Sequence, residues 1–161
     1  SMSKATSIMK AGLKGKMSSR TVDNIVRKGD QIKKQVRQYE LQVVDATPFV
    51  GGDLKKGDKM SYAAMTQKLD DYEQYESEVW KPMFEREILR NNFRWWGLTK
   101  IVNRNDSAYK KPTHLVWNIP VENGKPFMED EDYMSRKMRS MMDDYREMSP
   151  GNELTLVYST N

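Results

Sequence analysis

His114 is the single histidine in the 161-residue chain, and there is no cysteine. A histidine metal site or a His-containing catalytic triad would therefore rest on one residue. Thiolate chemistry, disulfides and cysteine zinc sites are excluded together. His114 stands beside Leu115, Trp117 and Ile119, whose alternation reads as a strand, so a half-buried polar role is favoured over a ligand or a base. The acids Glu129 to Asp132 lack the alternating ligands and turn glycine of a calcium loop, and they suit the first turn of a helix. Asp70, Asp71, Glu73, Glu76 and Glu78 crowd a stretch with helical spacing. A two-metal nuclease could be built from such carboxylates, but a helix needs a polar face in any case. Gly51, Gly52 and Gly57 surround Lys55 and Lys56 without the Gly-Lys-Ser/Thr ending of a phosphate loop. No catalytic, cofactor-binding or metal-binding motif emerges, and the expectation is a non-enzymatic binding protein.

Charge offers a stronger signal. The first 38 residues hold ten basic side chains (Lys4, Lys10, Lys14, Lys16, Arg20, Arg27, Lys28, Lys33, Lys34 and Arg37) against Asp23 and Asp30, a net of +8. The chain as a whole is +4, so the remaining residues sum to −4. A basic arm on an acidic body is attracted to polyanions, either nucleic-acid phosphates or an anionic membrane surface. The arm divides at residue 20. Up to there, Gly12 and Gly15 disfavour a helix and a flexible segment is expected. From Thr21, Val22, Ile25, Val26, Ile32 and Val36 can share a helical face, which opens a single domain over 21–161.

Two further clusters could form contact surfaces. Phe93, Arg94, Trp95 and Trp96 interleave aromatics with a cation, so Arg94, Trp95 and Trp96 could stack bases or anchor at an interface. Met134, Met138, Met141 and Met148 lie at near-helical spacing and could seat a partner helix, although such a stripe equally serves a core.

The elements that must hold these clusters read as α+β: a small sheet with two or three helices, preceded by the basic flexible arm. Tyr39 to Val44 reads as a strand. Tyr62, Met65, Leu69, Tyr72, Glu76 and Val79 follow spacings of three and four and read as a helix with one polar member in its stripe, interrupted at Pro82. Phe93 to Val102 fits either a helix or an aromatic strand. His114 is followed by a strand through Ile119, and a helix spans Met134 to Met148. Leu154, Leu156 and Tyr158 form a last strand. No run approaches the roughly 18 apolar residues of a membrane span, and an intracellular, non-secreted protein is expected.

The chain runs from Leu13-Lys14-Gly15-Lys16 in the arm through the strand at Tyr39, Tyr62-Ala63-Ala64 and the aromatic run into Gly97-Leu98 to Glu153-Leu154-Thr155-Leu156. In the order of these features it resembles the matrix proteins of rhabdoviruses. The Pro-rich budding signal that several animal members carry in the arm is absent. The resemblance implies a self-associating structural or assembly protein, a homo-oligomer whose arm engages a membrane surface, a nucleocapsid or a neighbouring subunit. The alternative is a nucleic-acid-binding module that uses the arm with Arg94, Trp95 and Trp96. An acid-dependent nuclease is a third reading.

Overall fold

A computed structural model describes residues 11–12, 16–32, 37–127 and 132–157. In chain order its elements are α1 (Ser19–Ile32), β1 (Tyr39–Ala46), β2 (Lys59–Gln67) and a helical run. That run comprises α2 (Tyr72–Tyr75), a π-turn over Glu76–Trp80 and α3 (Lys81–Leu89). Then come β3 (Phe93–Arg104), β4 (His114–Pro120), α4 (Tyr133–Tyr145), β5 (Arg146–Met148) and β6 (Asn152–Thr155). The fold is α+β. Its strands form one sheet in the order β1-β3-β4-β2-β5, with β6 also paired to β2. No described helix is long and apolar enough to cross a membrane.

One compact unit groups the chain up to Tyr39 with Arg104–Tyr109; the other holds Glu40–Asn103 and Lys110–Asn161. In the first, α1 is followed by a clasp onto the loop after β3. Asn105 N–H donates to the Gln38 carbonyl at 3.1 Å, and Gln38 N–H donates to Asn105 Oδ1 at 3.2 Å. Tyr109 N–H donates to the Tyr39 hydroxyl at 3.0 Å, and the Arg37 guanidinium lies 4.2 Å from the Tyr109 ring centre.

The second unit contains the largest departure from the sequence expectation. Tyr62 and Met65 belong to strand β2, not to a helix. Their spacing of three fits a helix and places them on opposite faces of a strand, so the local pattern misleads here and pairing decides. β2 joins β4 along Ser61–Met65 on one edge, and β5 and β6 on the other. Helix begins only at Tyr72. Pro82 has no amide to donate, yet the run does not break there. Lys81 N–H reaches back five residues to the Glu76 carbonyl, and this wider turn carries the chain into α3.

Phe93 to Arg104 is a strand, which resolves the alternatives open in the sequence. Its pairing with β4 slips between Phe93 and Trp95. The extra residue is Arg94, and a bulge there brings Phe93 and Trp96 to the same face. Both pack on Phe84 of α3, with ring centres 5.3 and 6.1 Å away. Trp95 turns to the other face and folds over Gly97, where an added Cβ would stand 2.4 Å from the indole. The core is built from Tyr72, Trp80, Met83, Phe84, Phe93, Trp96, Leu98, Val116, Met65 and Met142. Phe127 stacks on Phe84 at 4.2 Å with the rings 7° from parallel, a contact worth about 1 kcal/mol beyond its burial.

Candidate functional site

A cavity of about 330 Å3 opens between the sheet and the helical run. That volume is at the lower end of the range for small-molecule sites, roughly 300–1,000 Å3. Ser61, Ala63 and Met65 of β2, Trp96 of β3, and Val116 and Asn118 of β4 supply the sheet side. The register explains the set. Ser61 pairs with Asn118 and Ala63 with Val116, while Trp96 pairs with Asn118 and Leu98 with Val116, so these residues lie on one face. Glu76, Trp80 and Phe84 contribute from the helical run, Phe127 from the loop after β4, and Arg139, Arg146 and Met148 from the C-terminal part.

The chemistry centres on Glu76 and Arg146. The π-turn presents Glu76 and Trp80 inward, and both are buried. Arg146 Nη1 donates to Glu76 Oε1, and the guanidinium carbon stands 5.3 Å from the Trp80 ring centre. Arg146 sits where α4 passes directly into β5, a junction held by Lys68 N–H donating to the Tyr145 carbonyl at 2.8 Å. Burial raises the Glu76 carboxyl from its ordinary 4.5 to about 7, with the Arg146 cation and the Tyr72 hydroxyl opposing the rise. Burial also raises the Tyr72 phenol, which the negative charge of Glu76 reinforces, so Tyr72 stays protonated around neutrality. Three buried polar atoms make no hydrogen bond of good geometry among the described residues: Glu76 Oε2, the Tyr72 hydroxyl and Trp96 Nε1, although the Tyr72 hydroxyl lies near enough to the Glu76 carboxyl to favour its ionised form. Unpaired groups of this kind are costly, and here two of the three belong to residues that line the cavity.

His114 has a structural place. It is fully buried, Nε2 lies 2.9 Å from Glu73 Oε1, and Nδ1 lies 2.8 Å from Thr113 Oγ1. Lys100 joins Glu73 from the open side at 2.7 Å. Desolvation lowers the His114 pKa against the pull of Glu73. Thr113 Oγ1 also accepts from Gln67 N–H at 2.9 Å, so the hydroxyl is committed to the backbone and is not poised as a nucleophile. Among the described residues no three His, Asp or Glu side chains converge as a metal site. Glu73 and Glu76 serve different cations, which removes the arrangement a two-metal nuclease would need.

The sequence-selected clusters are dispersed. Lys4, Lys10, Lys14, Lys33 and Lys34 lie outside the described residues, as do Glu129 to Glu131. Lys16, Arg20, Arg27, Lys28 and Arg37 are exposed, with Arg37 laid on Tyr109. The proposed contact group Arg94, Trp95, Trp96 is split by the sheet. Trp96 is fully buried and cannot stack on a base. Arg94 is spent on its own chain: it donates to the carbonyls of Val50, Gly51, Gly52 and Asp53 and pairs with Asp58 at 2.8 Å. Trp95 covers Gly97. The methionine stripe is also divided. Met138 is half-buried and Met141 exposed on α4, while Met148 belongs to β5, beyond the helix, and lines the cavity. Met134 has no described side chain. Among the described side chains of this helix the buried methionine is Met142, whose sulfur accepts from Trp80 Nε1. Sequence reasoning passed over Arg146, Trp80, Phe84 and Phe127. It did register Glu76 as the one polar member of an apolar stripe, and that was the available signal.

No protein-family model matches the chain, and no curated protein matches it. Among solved structures it is similar to a heme-degrading enzyme from Listeria monocytogenes, at 13% identity and a TM-score of 0.36, over 73% of this chain and 71% of that one. The expectation of a non-enzymatic structural or assembly protein is not carried forward: the similar structure is that of a heme-degrading enzyme, and no matrix protein is among the findings.

Proposed function

We propose that this chain binds a small, flat, largely apolar organic molecule in the cavity between its sheet and helical run. The observation that carries this is the cavity itself: aromatic walls from Trp80, Phe84, Trp96 and Phe127 around the buried Glu76–Arg146 pair. A residue set chosen for stability alone would not favour this arrangement. A buried ion pair is often no better than apolar side chains of equal volume, and breaking one costs about 3–5 kcal/mol. Sites for small ligands combine these elements, with apolar surface for affinity and a few polar groups for orientation.

Calorimetric titration with indole tests the reading. The full chain is expected to take up one indole saturably, and Ala63→Phe, which fills the cavity from β2, is expected to abolish uptake while melting cooperatively. Indole uptake that is unchanged in a folded Ala63→Phe variant would place binding elsewhere and defeat the proposal.

A further inference from the structure

Two groups lining the cavity have incomplete bonding. Glu76 gives Oε1 to Arg146 and keeps Oε2 buried without a partner. The indole N–H of Trp96, which can donate but not accept, is buried without a partner on the sheet side. One acceptor and one donor therefore border the same aromatic-walled space, next to a buried cation. A planar molecule with a hydroxyl would offer each a partner: an O–H for Oε2, an oxygen for the indole N–H or the guanidinium, and a ring for the aromatic walls. Building on the small-molecule reading of this cavity, we infer that the ligand is a compact aromatic or enolic molecule bearing an acidic hydroxyl, and that Glu76 accepts its proton while Arg146 holds the oxyanion formed.

The step balances within the site. The ligand O–H bond breaks as an O–H bond forms on Glu76 Oε2, and the negative charge passes from the carboxylate to the ligand oxygen. No oxidant or further reactant is needed. Arg146 has one anionic partner before the transfer and one after it, so its own charge is never left unpaired. The charged and titratable groups around Glu76 are Tyr72 and Tyr75 on the helical run, Arg146 on β5, and Arg139 of α4 on the cavity wall. Tyr72 stays protonated and does not compete as a base. Burial brings the Glu76 carboxyl towards neutrality, the range in which such a group both takes and releases a proton.

3-Nitrophenol is a suitable probe, because its phenolate is yellow and its phenol is not. Calorimetry reports binding and absorbance reports ionisation, both at a pH above 7, where the Glu76 carboxyl is ionised, and below the free dye's higher pKa. The full chain is expected to bind the dye and raise the phenolate band. Calorimetry in buffers of different ionisation enthalpy also counts the protons released. The wild type should show the band with almost no proton released to buffer, and Trp96→Phe, which deletes one donor, a weaker band. Glu76→Gln leaves Arg146 unpaired and should hold phenolate only with about one proton released to buffer. Wild-type binding with no phenolate band, or with a full proton released to buffer, overturns the proton transfer and leaves the indole-based reading standing. Absence of both indole and nitrophenol binding overturns the two together; indole binding without nitrophenol binding overturns this inference alone. Should Glu76→Gln fail to melt cooperatively, the wild type decides by pH titration of the bound dye. An ionisation midpoint at or above that of the free dye then rejects the step.

Discussion

Glu76 is in contact with a cation and yet holds its proton more tightly when folded, because desolvation outweighs the attraction of Arg146. Its carboxyl moves from an ordinary 4.5 to about 7. Folding therefore favours the protonated form, so stability from this group is full below 4.5 and declines as pH rises through 7, by up to about 3 kcal/mol. Glu73 works in the opposite sense. Lys100 and then His114 lower its pKa, and its contribution is lost on acidification. Urea unfolding of wild type and Glu76→Gln across this range separates the two, since Glu73 is common to both proteins. The wild-type stability should fall towards neutral pH relative to the variant; parallel curves would contradict the account. Arg94 gives a second prediction at this scale. Its planar fork reaches four consecutive carbonyls, and a lysine cannot copy it. Arg94→Lys should cost about 2 kcal/mol through those bonds and speed amide exchange across Gly51–Asp58. Exchange unchanged there would show that the loop holds without it. Glu76 was legible as the odd polar residue in an apolar stripe. Arg146 was not, because it lies 70 positions away and only the helix-to-strand junction after Tyr145 brings it in.

The elements show where local pattern and pairing disagree. β6 holds only Leu154 of the expected Leu154, Leu156 and Tyr158, since Leu156 lies past its end and Tyr158 outside the described residues. β1 and β4 follow from alternation, and α4 from its methionine spacing. β2 does not, because Tyr62, Met65 and Leu69 satisfy a helical period by coincidence and only two paired edges make the strand the better structure. The π-turn was equally hidden: Pro82 suggested a break, but the missing amide is absorbed by one wide turn that points Glu76 and Trp80 inward. In β3, Gly97 is required because the Trp95 ring occupies the space of a Cβ. Gly97→Ala must push that ring outward, at about 1–3 kcal/mol for overpacking. A lower melting temperature with greater iodide quenching of tryptophan emission is expected. A stable variant with unchanged quenching would mean that Trp95 does not rest there.

At the scale of the whole molecule, the α+β class was readable from composition and period. Charge clusters in sequence say nothing about where a cavity closes, so the basic arm gave no pointer to this one. The cavity depends on sheet register, on the Arg94 bulge that sends Phe93 and Trp96 to one face, and on Phe127 packing from a loop. None of these is a local property of the chain. A ligand held there should raise the melting temperature by mass action, about 2.7 kcal/mol at a hundredfold excess over its Kd. The four tryptophans provide the most direct measurement, because Trp80 and Trp96 line the cavity while Trp95 and Trp117 do not. Nitrogen-15 spectra of the indole N–H resonances, recorded during titration with unlabelled indole, report on all four at once. The account predicts saturable shifts at Trp80 and Trp96 with Trp95 and Trp117 nearly still. Shifts confined to Trp95 and Trp117, or none at any of the four, would contradict it.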